Sequence, residues 1–200
     1  MHFWIFLGSA YVIGSIPFGY LIAKAFGVDI LQTGSGNIGA TNVQRTLGWG
    51  PGLLSLILDV AKGFVPVVIV LWFGFQFWQA AAIGTAVIIG HCWSIFLLFK
   101  GGKGISTSLG VILALDWRIG LAALVLWLIL LLIWRYVSLA SIISASILPF
   151  GFLISRFDLK VFVVIFIFAI IDVLKHIPNI KRLMDGTEYK YGEKAITRAD

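Results

Sequence analysis

Long apolar runs dominate this chain, separated by short polar intervals. The runs cover roughly residues 3–23, 51–73, 80–99, 104–115, 119–134, 138–154 and 160–175. A helix needs about 20 residues at 1.5 Å each to cross the hydrocarbon core of a bilayer. The pattern therefore predicts an all-α fold, a polytopic membrane bundle of seven transmembrane helices. The fourth run is short alone, so it must start inside the preceding Gly-rich loop, continue past Asp116 or fail to cross, and six spans is the alternative. There is no internal repeat, low-complexity tract or second domain, so residues 1–200 read as a single integral-membrane domain. The N-terminal "MHFWIF" lacks the basic flank of a signal peptide, and the first run is expected to stay as a span.

The polar intervals set the orientation. With seven spans, one face carries eleven basic residues: Lys24, Arg45, Lys100, Lys103, Arg135, Lys175, Lys181, Arg182, Lys190, Lys194 and Arg198. The other carries three: Arg118, Arg156 and Lys160. Cytoplasmic loops are enriched in Lys and Arg. The predicted topology thus has the N-terminus outside, the C-terminus in the cytoplasm, and a polar tail from about residue 181 on the membrane surface.

Composition agrees with lipid as the main surroundings. The chain is 60% hydrophobic and 12% charged, with a mean hydropathy of +1.02, against about half apolar and a quarter charged in soluble domains. The net charge of +6 points to anionic partners such as lipid headgroups or phosphorylated substrates. Cys92 is the single cysteine and lies in an apolar run, so an intramolecular disulfide is excluded. One cysteine and three scattered histidines make zinc improbable, and no metal or cofactor is expected.

Three polar, glycine-rich segments stand out, and the topology puts all three at the cytoplasmic face. The first is "TGSGNIGATNVQR" at residues 33–45. Gly34, Gly36 and Gly39 fit G-x-G-x-x-G, and Asp59 stands twenty positions on, as in a dinucleotide fold. That reading fails because apolar spans flank the glycines where a βαβ unit is required. The glycines instead allow close approach of backbone N–H groups to an anion. If "GATNVQR" is helical, Thr41 and Arg45 share a face near a helix N-terminus, which favours phosphate. Ser35, Asn37 and Asn42 complete the polar set.

The second segment is "KGGKGIST" at residues 100–107. It is not a Walker A loop, since position 98 is Leu and no Ser or Thr follows Lys103. It still puts Gly101, Gly102, Gly104, Lys103, Ser106 and Thr107 at the start of a span. The third is "KHIPNIKRLMDGTE" at residues 175–188. His176 and Asn179 are three apart and point the same way on a continued helix, although Pro178 works against helical geometry at Ile177. Lys181 and Arg182 add charge, and Glu188 can orient a cation.

Within the spans, Asp59 and Lys62 at i, i+3 are expected to pair. Ser138 and Ser141 face one way near the start of the sixth span, and His91 lies deeper in the third. These read as structural before catalytic. No carboxylate pair or Ser–His–Asp arrangement emerges.

Together the segments resemble the PlsY family, the bacterial acyl-phosphate–glycerol-3-phosphate acyltransferases. The matching pieces are "GSIPFGYLIAK", "GSGNIGATNVQRTLG", "DVAKG", "FKGGKGIST", "YVSLAS" and "HIPNIKRLMDGTE", in the family's order over nearly the whole chain. The chain departs at Ile177-Pro178, where members usually have a basic residue after the histidine. A second family of glycerolipid acyltransferases uses His-x4-Asp and thioester donors. That motif is absent, since Leu7, Phe96 and Lys181 stand five residues after His2, His91 and His176.

The resemblance implies an inner-membrane enzyme with its active site toward the cytosol. It would transfer an acyl group from acyl phosphate to the 1-hydroxyl of glycerol 3-phosphate, giving lysophosphatidic acid and inorganic phosphate. It implies phosphate binding by Ser35, Arg45 and Lys103, and positioning of the hydroxyl or polarisation of the acyl carbonyl by His176 and Asn179. Gly36, Asn37, Gly39, Thr41, Asn42, Gly101, Gly102, Gly104, Thr107, Ser141, Lys181 and Glu188 would shape the substrate site. With no carboxylate evident to orient His176, the donor's own phosphate is the favoured proton acceptor. The expected partners are glycerol 3-phosphate, acyl phosphate and membrane lipids, with no nucleic acid, and function as a monomer. The rival reading is a transporter of a phosphorylated metabolite. Transporters tend to place substrate at the midplane between repeated halves, and this chain has no repeat.

Overall fold

The computed structural model describes residues 2–192, so Lys194 and Arg198, counted above for orientation, lie outside the described residues. Every apolar run forms helix. The first run is α1 (His2–Ser15) and α2 (Phe18–Ala25), broken at Ile16-Pro17 because proline offers no N–H to the helix. A short α3 (Ala40–Leu47) precedes α4 (Trp49–Trp72). Then follow α5 (Phe77–Cys92), α6 (Ile105–Leu115), α7 (Trp117–Trp134), α8 (Val137–Arg156), α9 (Leu159–Lys175) and α10 (Ile177–Met184). Among the described residues there is no strand, only an isolated bridge between Ser94 and Lys100.

Two expectations about spans change. Among the described residues, four segments are long and apolar enough to cross a membrane by length and composition: His2–Ala25, Trp49–Trp72, Trp117–Trp134 and Val137–Arg156. A fifth is the pair α9 and α10, bent by 53°. The third apolar run does not continue as helix to residue 99. α5 stops at Cys92, and Trp93–Phe99 folds into a 3-10 turn over Ile95–Leu97, with Leu98 and Phe99 at positive φ. α6 has 11 residues, or about 16 Å, roughly half of the hydrocarbon thickness.

The helices pack closely where side chains are small, as expected where lipid supplies no hydrophobic drive between them. A Cβ on Gly14 would overlap the backbone of Val87, and one on Gly90 would overlap the carbonyl of Tyr11, so α1 and α5 touch backbone to backbone. The main core is formed by Val67, Val70, Ile83, Val87, Ile88, Val111, Ile112, Leu148, Phe152, Ile165 and Phe168 with their neighbours.

A buried charge cluster sits within this bundle. Lys62 Nζ lies 2.7 Å from Asp59 Oδ1, as the i, i+3 spacing predicts, and donates to the Ile16 carbonyl at 2.9 Å. That carbonyl borders the α1–α2 break. His91 Nδ1 lies 3.6 Å from the same Asp59 oxygen.

Contacts sort the connections between two ends of the bundle. Phe3 and Phe6 pack on Phe75, and Arg156 lies near Asp116 and over the Phe77 ring. At the other end Lys175 donates to the Cys92 carbonyl, Tyr191 N–H donates to the Arg135 carbonyl, and Ser138 donates to Glu188.

Candidate active site

The three polar segments, far apart in sequence, meet at this second end around one cavity of about 410 Å³. Its mouth is lined by Ser35, Asn37, Gly39, Thr41, Asn42, Arg45, Lys103, Gly104, His176, Asn179, Arg182, Glu188 and Tyr189. An apolar limb continues between α4, α6, α7 and α8. Ser141 is on the wall, but its hydroxyl donates to the Val137 carbonyl and accepts from Trp127 Nε1.

Residues 33–39 are held by Asn42. Its Oδ1 accepts the Ser35 N–H at 3.0 Å, and its Nδ2 donates to the carbonyls of Thr33 and Asn37 at 2.9 Å each. Asn37 Oδ1 accepts the Gly39 N–H, which leads into α3. α3 is helical over "ATNVQRTL", so Thr41 and Arg45 do share a face, and both line the cavity. The Arg45 guanidinium stacks over the Tyr189 ring, 4.7 Å from its centroid.

The loop carrying Lys103 is anchored on α5. The Gly102 N–H donates to the His91 carbonyl at 2.9 Å, and any side chain at Gly102 would overlap the His91 ring. Burial, followed by the charges of Arg182 and Arg45, pushes Lys103 down to about 8 against the pull of Glu188.

His176 sits at the bend between α9 and α10. Pro178 falls in the first turn of α10, where a missing N–H costs nothing, so the helix resumes directly after the histidine. His176 Nδ1 lies 2.7 Å from the Asp172 carbonyl, which can only accept, so Nδ1 carries the proton and Nε2 the lone pair. Burial, reinforced by the positive charge of Lys103, pushes His176 down to about 4, so the ring is neutral at physiological pH.

Glu188 is the fastener of the third segment. Oε1 accepts from Ser138 at 2.8 Å and from Asn179 Nδ2 at 2.6 Å, while Oε2 accepts from Arg182 Nε at 2.7 Å. These bonds fix the Asn179 amide and leave its buried Oδ1 without a partner.

Five expected site residues are off the cavity wall: Gly36, Gly101, Gly102, Thr107 and Lys181. Gly101 and Gly102 pack on the end of α5, Thr107 is buried against Gly63, and Lys181 is exposed on α10. Conversely, the wall includes Asp172, Ser108 and Arg182, which the sequence reading did not assign to the site, and Asp59 and His91, read there as structural. Asp172 is buried, accepts from Ser108 Oγ at 2.8 Å, and abuts Gly104, where a Cβ would overlap its Oδ1. One residue thus ties the start of α6 to the helix that carries His176. A usable signal existed, because Asp172 is the one acid in the last apolar run and stands four residues before His176.

This arrangement matches known proteins over nearly its full length. The family model for glycerol-3-phosphate acyltransferase matches residues 4–186. A glycerol-3-phosphate acyltransferase of Geotalea daltonii is 49% identical, covering 90% of this chain and 93% of its own. One of Trichlorobacter lovleyi is 43% identical, with coverage of 94% and 96%. Among solved structures, the glycerol 3-phosphate form of the integral membrane acyltransferase PlsY superposes with a TM-score of 0.92 at 38% identity, covering 96% of each chain. Its lysophosphatidic acid form gives 0.89 at 37% identity, again covering 96% of each chain. The chain belongs to the glycerol-3-phosphate acyltransferase family, PlsY, and is an acyltransferase enzyme of the membrane.

Proposed function

We propose that the enzyme transfers a fatty acyl group from an acyl phosphate to the 1-hydroxyl of glycerol 3-phosphate. The observation that carries this is one cavity joining a mouth that holds Arg45, Lys103 and Arg182 to an apolar limb between helices. A phosphorylated headgroup suits the first part and an acyl chain the second. The glycerol 3-phosphate and lysophosphatidic acid forms of the related PlsY support the same acceptor and product.

In the proposed reaction the 1-hydroxyl oxygen attacks the acyl carbonyl carbon. The bond from that carbon to the phosphate oxygen breaks, and inorganic phosphate leaves. An acyl phosphate is a mixed anhydride, so the step calls for no metal or cofactor. Arg45, Lys103 and Ser35 hold phosphate, with Asn37, Thr41 and the Asn42-braced loop around them. His176 Nε2 and Asn179 Oδ1, both acceptors on cavity-lining residues, orient the hydroxyl. One N–H of Asn179 Nδ2 is taken by Glu188, which fixes the amide plane, and the second N–H is left to face the acyl carbonyl.

The proton goes to the donor's phosphate. A ring whose conjugate acid lies near 4 is a weaker base than the phosphate oxygen that gains charge as the bond to the acyl carbon breaks. The Asp172 carbonyl, and no carboxylate, keeps His176 in the accepting tautomer.

The proposed setting is the bacterial inner membrane, with seven passages, the cavity mouth toward the cytoplasm, and the monomer as the working unit. The sorting of connections between two ends supports alternating passages, including the short α5 and α6.

The test is phosphate release by purified protein given lauroyl phosphate with and without glycerol 3-phosphate. Release that needs both substrates and yields lysophosphatidic acid is the expected result. Arg45→Ala is expected to lower it about 100-fold or more. Release without the acceptor, or unchanged in Arg45→Ala, overturns the reading.

A further inference from the structure

At its far end the apolar limb meets the main buried core. From Ser138 at the mouth, α8 descends ten residues to Leu148, about 15 Å. From Gly104, α6 descends eight residues to Ile112, about 12 Å. Leu148 and Ile112 line the cavity and also belong to the main buried core, while Ala123 lines the cavity and packs against that core. Phe152, one helical turn beyond Leu148, is fully buried and packs on Phe77 with ring centroids 6.2 Å apart. The floor therefore cannot sink without disturbing the core, which is packed at near-crystal density. Ala145, buried on the wall beside it, is one of the few small side chains there.

We infer that this floor, formed by Ile112, Ala123, Ala145 and Leu148, selects the acyl chain by length. The inference rests on the acyl-transfer reading above and adds which residues set specificity within it. An extended chain advances roughly 1.25 Å per methylene by ordinary carbon–carbon geometry, so about ten to twelve methylenes reach the floor. Fatty acyl chains of ordinary length therefore meet it. One methylene too many in a rigid apolar pocket costs roughly 1–3 kcal/mol, or 10- to 200-fold in specificity.

The experiment compares kcat/KM for a series from decanoyl to stearoyl phosphate in the unaltered protein, Leu148→Ala and Ala145→Leu. Leu148→Ala deepens the limb and is expected to move the preferred length up by about two carbons. Ala145→Leu fills it and is expected to lower the longest chain relative to the shortest by about 10-fold or more. Each profile is a ratio within one preparation, so a loss of folded protein does not alter it. Profiles that stay parallel in both variants overturn the inference, since the chain then runs past the floor into lipid. If the unaltered protein uses acyl thioesters and no acyl phosphate, the donor reading fails. The same length series with thioesters then tests the floor by the same criterion.

Discussion

Lys103 and His176 are both pushed down by burial, with opposite consequences. For Lys103 at about 8, the cation that phosphate needs is present below pH 8 and is lost as pH rises through it. kcat/KM for glycerol 3-phosphate, which reports the free enzyme, should fall about tenfold per pH unit on the alkaline side. kcat should hold to a higher pH, because bound phosphate keeps the proton on the lysine. For His176 at about 4, the neutral, accepting ring persists through the whole physiological range. Substrate phosphate contributes its own limb near about pH 6. That limb should survive in His176→Gln, with turnover reduced but the profile unchanged in shape. Loss of that limb in the variant would make the ring the titrating base and remove the substrate-assisted scheme. The residues that the family resemblance assigned to phosphate, Ser35, Arg45 and Lys103, all line the cavity. Asp172 was overlooked although it is the one acid in its run; only its partner Ser108, 64 residues away, is a pairing that no local pattern encodes.

At the scale of elements, the apolar runs were readable because lipid leaves little freedom: backbone groups in the hydrocarbon must bond within a helix. Pro17 visibly interrupts the first run, which still counts as one span, but the early stop of α5 was not read. Residues 93–99 are as apolar as the helix before them. What ends the helix is the Ser94–Lys100 pairing and the anchoring of Gly102 on His91, both tertiary contacts. The charge cluster at Asp59 joins these elements: Lys62 reaches the α1–α2 break, and His91 sits under the Lys103 loop. Removing one partner of a buried pair strands the other charge, at about 3–5 kcal/mol, whereas replacing both by apolar groups is often neutral. Asp59→Asn should therefore lower the thermal midpoint in detergent markedly, and Asp59→Leu with Lys62→Met should recover most of it. A double variant as unstable as the sum of the single variants would mean that the two side chains act independently.

For the whole molecule, the distribution of charge and the position of the cavity make the same statement about orientation. Even without Lys194 and Arg198, the basic residues divide nine to three in favour of the end where the cavity opens. The positive-inside rule supports the proposed cytoplasmic mouth, where a charged, water-soluble acceptor would arrive without crossing lipid. Because Cys92 is fully buried, it should give little background to a membrane-impermeant maleimide. Lys160, in the first turn of α9, and Lys181, past its other end on α10, are both exposed. In intact cells Lys160→Cys should be labelled at once, and Lys181→Cys only after permeabilisation. The opposite result would put the mouth outside and separate it from cytosolic glycerol 3-phosphate. Labelling of both from one side would show that α9, with its 53° bend into α10, re-enters without crossing. The chain would then have six passages and both ends on one face, and the charge bias would have to be explained by lipid headgroups alone.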